Sequence, residues 1–252
     1  MEREHSLENL FYDPELYRAG ENYQASNIVF PVEIDGQKYI VKKPRALSSI
    51  IEPYYVFQDK FFLGARKLTK TWRKFKEESS SLSYLNGLHA PRLVGCGKNI
   101  IVREYLEGKD FRSLISDDEK EHTLEGAIEA MANIHKKRHS IGDTHVKNAF
   151  QCKDRVCWLD HEGIYKREHS IQQAHAKDLI KFVYTAYTAT RNPDLAVFAA
   201  EKVKQNYPDK EVLETLGNYM QEKDFGALRL WFPTRLPLDG KLNKEIKGIL
   251  IS

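Results

Sequence analysis

The spacing of apolar residues changes once along this chain of 252 residues, and that change limits the fold more than any other feature. Before about residue 105 the apolar residues fall in short β-rich segments, with one helix among them. After residue 110 they recur every three or four positions, as on helices. The sequence therefore predicts an α+β protein with a small β-rich N-terminal lobe, residues 1–105, and a helical C-terminal lobe, residues 106–252.

Residues 27–43 predict a β-hairpin, because two β-rich segments flank the turn-forming pair Asp35-Gly36. A helix is predicted at 68–86, followed by strands at 92–95 and 99–105, with no second helix in this half. The second half predicts a hairpin at 149–159 and helices at 123–137, 171–189, 195–206, 210–222 and 242–251.

Composition narrows the class of protein. No apolar run approaches the roughly 18 residues that span a bilayer, and the polar start Met1–His5 is unlike a signal peptide. Three cysteines without metal-ligand spacing favour a cytoplasmic location. The net charge of +3 argues against a nucleic-acid partner. Six basic residues and no acidic ones lie between Arg66 and Lys76, so peripheral contact with the inner membrane face stays an alternative to a solvated helix face.

Three polar residues in the second half form the most informative pattern. Asp143 and Asn148 lie five positions apart in a loop after a helix, and Asp160 ends an apolar strand twelve positions later. Phosphoryl transfer needs one carboxylate to orient the attacking hydroxyl, and an amide plus a carboxylate to hold Mg²⁺ on the phosphates. The spacing therefore predicts a phosphotransfer site, although an ordinary turn would also use these residue types.

This pattern resembles the protein-kinase-like superfamily, whose loop reads Asp-x4-Asn and is followed by a hairpin and a metal-binding Asp. The resemblance implies ATP and Mg²⁺ as cofactors, with Mn²⁺ as an alternative ion. It makes Asp143 the catalytic Asp, and Asn148 and Asp160 the metal ligands. Ile141 stands where the family usually has a His that braces the loop, so another support is required. The short segment after Asp160 is typical of the atypical and small-molecule branches.

The N-terminal half supplies a second part of the same pattern. A kinase fold needs a strand lysine on the α- and β-phosphates, held by a helix glutamate. Lys42 ends an apolar strand and is the preferred lysine, with Lys43 as the alternative. Glu78 shares the apolar stripe of its helix, whereas Glu77 falls on the polar face. Because a carboxylate on an apolar face needs a buried cation, we expect Glu78 to pair with Lys42.

The remaining nucleotide contacts follow from the resemblance. Gly20 and Ser26 lie in the segment before the hairpin, where the family has its glycine-rich loop, although this segment has one glycine only. Residues 103–108 fit the interlobe hinge, which makes Glu104 and Leu106 candidates for binding adenine.

The acceptor is predicted from a more limited likeness. An aromatic and basic segment at residues 59–76 resembles the lipopolysaccharide core Kdo and heptose kinases, which implies the hydroxyl of a sugar or lipid-linked saccharide as acceptor. The alternative is a protein Ser/Thr acceptor, as in the RIO-like kinases. A second alternative is a pseudokinase that binds nucleotide as a scaffold without transferring phosphate.

Overall fold

The computed structural model describes residues 2–23, 27–44, 71–161, 170–221 and 240–252, and gives the backbone alone for 2–6 and 71–74. The described helices are α1 (Glu2–Tyr12), α2 (Thr71–Leu85), α3 (Asp117–Lys136), α4 (Ile171–Thr190), α5 (Pro193–Asn206), α6 (Lys210–Gln221) and α7 (Gly240–Ile251). The described strands are β1 (Ile28–Ile34), β2 (Gln37–Lys43), β3 (Leu93–Gly97), β4 (Ile100–Glu104), β5 (Gly108–Asp110), β6 (Ala149–Cys152) and β7 (Val156–Trp158).

Strands β1 to β4 form one antiparallel sheet in the order β1-β2-β4-β3. The predicted hairpin is confirmed, with Ile34 opposite Gln37 across the turn. Asp35 and Gly36 both have positive φ, 52° and 74°, as a two-residue turn between twisted strands requires. The helix predicted at 68–86 is observed from Thr71 as α2, while its first three positions lie outside the described residues, and the two strands after it are β3 and β4.

Helix α1 contradicts the prediction of a single helix in the N-terminal half. Leu10 is fully buried, and the ring of Phe11 lies so close to Gly95 that an added Cβ would approach it to 2.5 Å. The segment is mostly polar and its stripe consists of Leu7, Leu10 and Phe11. Three residues give too little apolar periodicity to predict a helix from sequence. Helix α1 is stabilised instead by its packing on the sheet.

The C-terminal half is helical as predicted, with one boundary wrong. Helix α3 begins at Asp117, not near residue 123, because Ser116 caps it. The Ser116 side chain accepts the Glu119 backbone N–H, and the Glu119 carboxylate returns to the Ser116 backbone N–H, which is a complete capping box. Strands β5, β6 and β7 form a second small sheet beside these helices, and β5 was not predicted.

Two apolar cores hold the described elements together. The smaller one lies between α1 and one face of the first sheet and contains Leu10, Phe30 and Val41. The larger one joins the helices of the C-terminal half to α2. The predicted C-terminal helix packs there as α7, since Leu242, Ile246 and Leu250 are buried.

The α+β class is therefore confirmed, with a small antiparallel sheet in the N-terminal region and a helical C-terminal part that are compatible with two lobes. None of the described helices combines the length and apolar character needed to cross a bilayer.

Candidate active site

Lys42 lies between two carboxylates that come from distant parts of the chain. Its Nζ donates to Glu78 Oε2 at 2.6 Å and to Asp160 Oδ1 at 2.8 Å. Lys42 and Glu78 are both buried, whereas the Asp160 side chain keeps 28% of its exposure. A lysine on β2, a glutamate on α2 and an aspartate after β7 thus meet at one point.

The local sequence explains why Lys42 and not Lys43 takes this position. Successive side chains of a strand point to opposite faces, so only one of the two can face α2. Lys43 points the other way and pairs with Glu15 at 3.0 Å. On α2, Glu78 lies on the same buried face as Phe75 and Leu82, whereas Glu77 is half-buried.

Charge and burial compete at this cluster. Burial alone would lower the pKa of Lys42, but the carboxylates of Asp160 and Glu78 together raise it above its usual value. Burial raises the pKa of Glu78, and the charge of Lys42 offsets only part of this rise. Burial would also raise the pKa of Asp160, yet Lys42 holds it below the usual range. Lys42 is therefore always charged, and Asp160 is ionised at neutral pH.

Asp143 and Asn148 lie in one compact loop between α3 and β6. Asn148 Nδ2 donates to the Asp143 backbone oxygen at 3.0 Å and to Asp143 Oδ2 at 2.9 Å. The Asn148 backbone oxygen accepts the N–H of Leu159 at 2.9 Å, directly before Asp160. Gly142 and His161 form an isolated antiparallel bridge. These bonds place Asp143, Asn148 and Asp160 side by side.

Lys181 on α4 forms an ion pair with Asp143 that the sequence did not indicate. Burial would raise the pKa of Asp143, but Lys181 and then Lys147 hold it well below its usual range. His145 is different, because burial and the charge of Lys147 lower its pKa to about 4. At neutral pH the loop thus carries an ionised Asp143 and a neutral His145.

Asp178 on α4 supplies the support that Ile141 cannot give. Its Oδ2 accepts the Ile141 backbone N–H and the Ser140 hydroxyl, both at 2.8 Å, and its Oδ1 accepts the Gly142 backbone N–H at 2.9 Å. His135 Nε2 lies 3.1 Å from Oδ2. Burial would raise the pKa of Asp178, but these donors lower it, so the carboxylate stays charged at no exposure.

Arg103 is a third residue whose role sequence reasoning missed. It is buried on β4 at 7% exposure, and its guanidinium donates to the backbone oxygen of Leu159. It therefore ties the first sheet to the residue that precedes Asp160. The apolar stretch Ile100–Val102 before it predicted a strand, but nothing in the sequence showed which partner the arginine would find.

Three of the four remaining predicted nucleotide-contact residues lie among the described residues. Gly20 lies against β1, where an added Cβ would approach the Pro31 ring to 2.9 Å. Ser26 lies outside the described residues. The Glu104 carboxylate accepts the Arg92 backbone N–H at 3.1 Å, and the Glu104 N–H donates to the Arg92 oxygen at 2.9 Å, so both groups hold the strand end. Leu106 is half-buried in the segment that links β4 to β5.

The donor set suits Mg²⁺. Asp160 uses Oδ1 for Lys42, which leaves Oδ2, and Asn148 uses its amide hydrogens, which leaves the carboxamide oxygen. Mg²⁺ prefers oxygen ligands and is commonly held by one or two protein groups together with phosphates and water. No cluster of three or more His, Cys, Asp or Glu side chains able to hold a metal occurs within the described ranges. Asp160 Oδ2 and the Asn148 carboxamide oxygen are thus the two oxygens that this loop could offer to such an ion.

Comparison with known proteins adds no family: neither the protein-family models nor the curated proteins searched contain a match to this chain.

Proposed function

We propose that this chain is an ATP- and Mg²⁺-dependent phosphotransferase of the protein-kinase-like type. One observation carries the proposal: Lys42 joins Glu78 and Asp160, while Asp143 and Asn148 lie beside Asp160. Five residues chosen from sequence for four roles, with Asn148 and Asp160 sharing the metal, thus lie close together. A purely structural ion pair would need neither the exposed edge of Asp160 nor the neighbouring Asp143–Asn148 loop.

The residues of the chain suggest how transfer would proceed. Lys42, held by Glu78, binds the α- and β-phosphates of ATP. Asn148 and Asp160 would hold Mg²⁺, which would neutralise negative charge on the phosphates. The acceptor oxygen forms a bond to the γ-phosphorus as the bond to the β–γ bridging oxygen breaks, and ADP leaves. Catalysis of this kind is mostly positioning and charge stabilisation.

Asp143 accepts the hydrogen bond of the attacking hydroxyl. Because Lys181 keeps the pKa of Asp143 low, this carboxylate is a weak base. We therefore assign it chiefly to orientation, with the hydroxyl proton passing to the Asp143 carboxylate late, as the new P–O bond forms and the oxygen becomes acidic. A scaffold without transfer would not need an ionised carboxylate held at this point.

The acceptor belongs to the same proposal. We assign it as the hydroxyl of a sugar or lipid-linked saccharide, with a protein Ser/Thr hydroxyl as the alternative. The free thiols Cys96, Cys152 and Cys157 support a cytoplasmic site of action.

Transfer of labelled γ-phosphate from ATP to a panel of saccharides and proteins tests this function. We expect Mg²⁺-dependent transfer by the wild-type chain, and a loss of roughly a hundredfold or more in Asp143→Asn, because misplacing the attacking group costs about that factor. Asp154→Asn, an exposed carboxylate in the β6–β7 turn, is the matched control and should retain full activity. Undiminished transfer by Asp143→Asn would refute the assignment.

A further inference from the structure

Helix α4 holds the candidate catalytic loop through side chains on three successive turns of one face. Asp178 accepts the Gly142 backbone N–H at 2.9 Å, and Thr185 Oγ1 accepts the Val146 backbone N–H at 3.0 Å. Lys181 lies between these two, at helical spacings of three and four, and so faces the same loop. The helix therefore fixes the position of the Lys181 ammonium relative to the loop.

Lys181 differs from its two neighbours because it contacts a side chain of the loop. Its Nζ forms the ion pair with Asp143 Oδ1 and lies 3.4 Å from the Gly142 backbone oxygen. The other carboxylate oxygen, Oδ2, accepts from Asn148 Nδ2 at 2.9 Å. The side chains of Lys181 and Asp143 keep 14% and 17% of their exposure, so solvent still reaches part of this pair.

Neither proton transfer nor support of the loop explains this ion pair. A cation in contact with a carboxylate makes it a weaker base, whereas a general base works best with a pKa near the operating pH. The loop is already held through its backbone by Asp178 and Thr185. Removing two charged groups from water also costs free energy. A second negative group beside Lys181 in the working complex would explain its position.

The γ-phosphate is a group of this kind. A hydroxyl that donates to Asp143 lies about 2.6–3.2 Å from it, and its oxygen lies about 3–3.5 Å from phosphorus before attack. Two negative groups, the carboxylate and the γ-phosphate, thus come within about 6 Å of each other and repel. Lys42 is already bonded to Glu78 and Asp160, whereas Lys181 is in contact with Asp143 itself.

We propose that Lys181 is a catalytic residue that contacts the γ-phosphoryl group during transfer and stabilises the negative charge on its oxygens. This inference rests on the proposed function, since it adds a residue to the same site. It also divides the work between two lysines, because Lys42 binds the α- and β-phosphates in every nucleotide complex. Lys181 then contributes to the transition state and not to the binding of ADP.

Calorimetric titration of the full chain with ADP and Mg²⁺, with and without aluminium fluoride, tests this division. Aluminium fluoride is an anion that mimics the phosphoryl group in transfer, so wild type should bind ADP more tightly in its presence. Lys181→Met should lower that affinity at least about tenfold and change the affinity without aluminium fluoride by less than about twofold. Lys181→Arg keeps the charge and should retain most of the gain. Lys177→Met, one turn earlier on α4 beside the Tyr219 ring, is the matched control and should bind as wild type does.

A double variant keeps the test valid where Lys181→Met does not fold. The single change leaves Asp143 as a largely buried charge without its cation, whereas Asp143→Asn combined with Lys181→Met removes both charges. With aluminium fluoride, this double variant should bind ADP at least about tenfold more weakly than Asp143→Asn alone, because Lys181 still faces the anion in the single variant. Equal binding by the two would show that Lys181 acts only through Asp143, which overturns the inference.

Three further results would overturn it. They are a wild type whose affinity for ADP aluminium fluoride does not raise, a gain that Lys181→Met leaves undiminished, and an equal loss with and without aluminium fluoride. Failure of the proposed function appears differently, as a wild-type chain that does not bind ADP with Mg²⁺ at all.

Discussion

Replacing Asp178 with Asn perturbs the support of the candidate catalytic loop while keeping the shape of the side chain. The carboxylate accepts from four groups, three at Oδ2 and one at Oδ1. A carboxamide has one oxygen only, so its best orientation keeps the three donors at Oδ2 and turns its NH₂ toward the Gly142 N–H. Donor then faces donor in a site without exposure to solvent.

The expected cost follows from these bonds. A buried N–H left without an acceptor costs about 1–3 kcal/mol, and hydrogen bonds to a charged group exceed neutral ones by about 1 kcal/mol each. Relief of the buried charge offsets part of this, but only part, because the pKa of Asp178 lies below its usual value and the folded protein thus favours the ionised form. We expect Asp178→Asn to lower the free energy of unfolding by about 2–4 kcal/mol, out of the 5–15 kcal/mol typical of a domain.

Urea unfolding measured by circular dichroism gives this number, and amide hydrogen exchange at Ile141 and Gly142 localises it. Asp209→Asn is the matched control, because Asp209 also accepts two backbone N–H groups but at an exposed helix start, where Asn caps as well as Asp. The reasoning is refuted if both variants fall within about 0.5 kcal/mol of wild type, the range of ordinary surface changes, or if exchange at Gly142 is unchanged.

Three further predictions concern other groups. Glu78→Gln should weaken Mg·ATP binding, measured by titration calorimetry, because Lys42 loses the carboxylate that holds it. Glu77→Gln is the control and should bind Mg·ATP as wild type does. Equal loss of binding in the two variants would contradict the assignment of Glu78. Burial lowers the pKa of His161 from 6.5 to about 4. The folded protein therefore loses free energy of unfolding as the pH falls from 6.5 toward 4, because the unfolded chain binds this proton first. In His161→Gln the midpoint of urea unfolding should fall less between pH 6.5 and pH 4 than in wild type. The same pH dependence in both proteins would contradict this. Cys96 is exposed, whereas Cys152 and Cys157 are buried, so Cys96→Ser should remove the fast phase of thiol labelling in the native protein. A fast phase that persists in Cys96→Ser would contradict this.

Sequence periodicity predicted those elements whose apolar pattern is strong. The hairpin at 27–43 and the helices α4 to α7 lie within a few residues of their predicted positions, since each buries a regular stripe. The same argument placed Glu78 on the buried face of α2, where it meets Lys42. Local chemistry therefore predicts which face a side chain occupies.

The parts that were missed depend on tertiary contacts. Helix α1 has too short a stripe to be recognised, and it is held by packing on the sheet. Asp178 and Lys181 are ordinary polar residues in a helical sequence, and only the position of α4 beside the loop gives them partners. A signal was available for Asp178, because a buried-face acid at helical spacing requires donors, as it did for Glu78.

Calorimetric titration of the full chain with ATP, with and without Mg²⁺, tests the central claim most directly when wild type is compared with Asp160→Asn. The claim is that Lys42, Glu78, Asn148 and Asp160 bind Mg·ATP. It predicts saturable binding by wild type that requires Mg²⁺ and is weakened at least tenfold in Asp160→Asn, because one charged metal ligand becomes neutral. Absence of binding by wild type, or binding that neither Mg²⁺ nor Asp160→Asn changes, would contradict it.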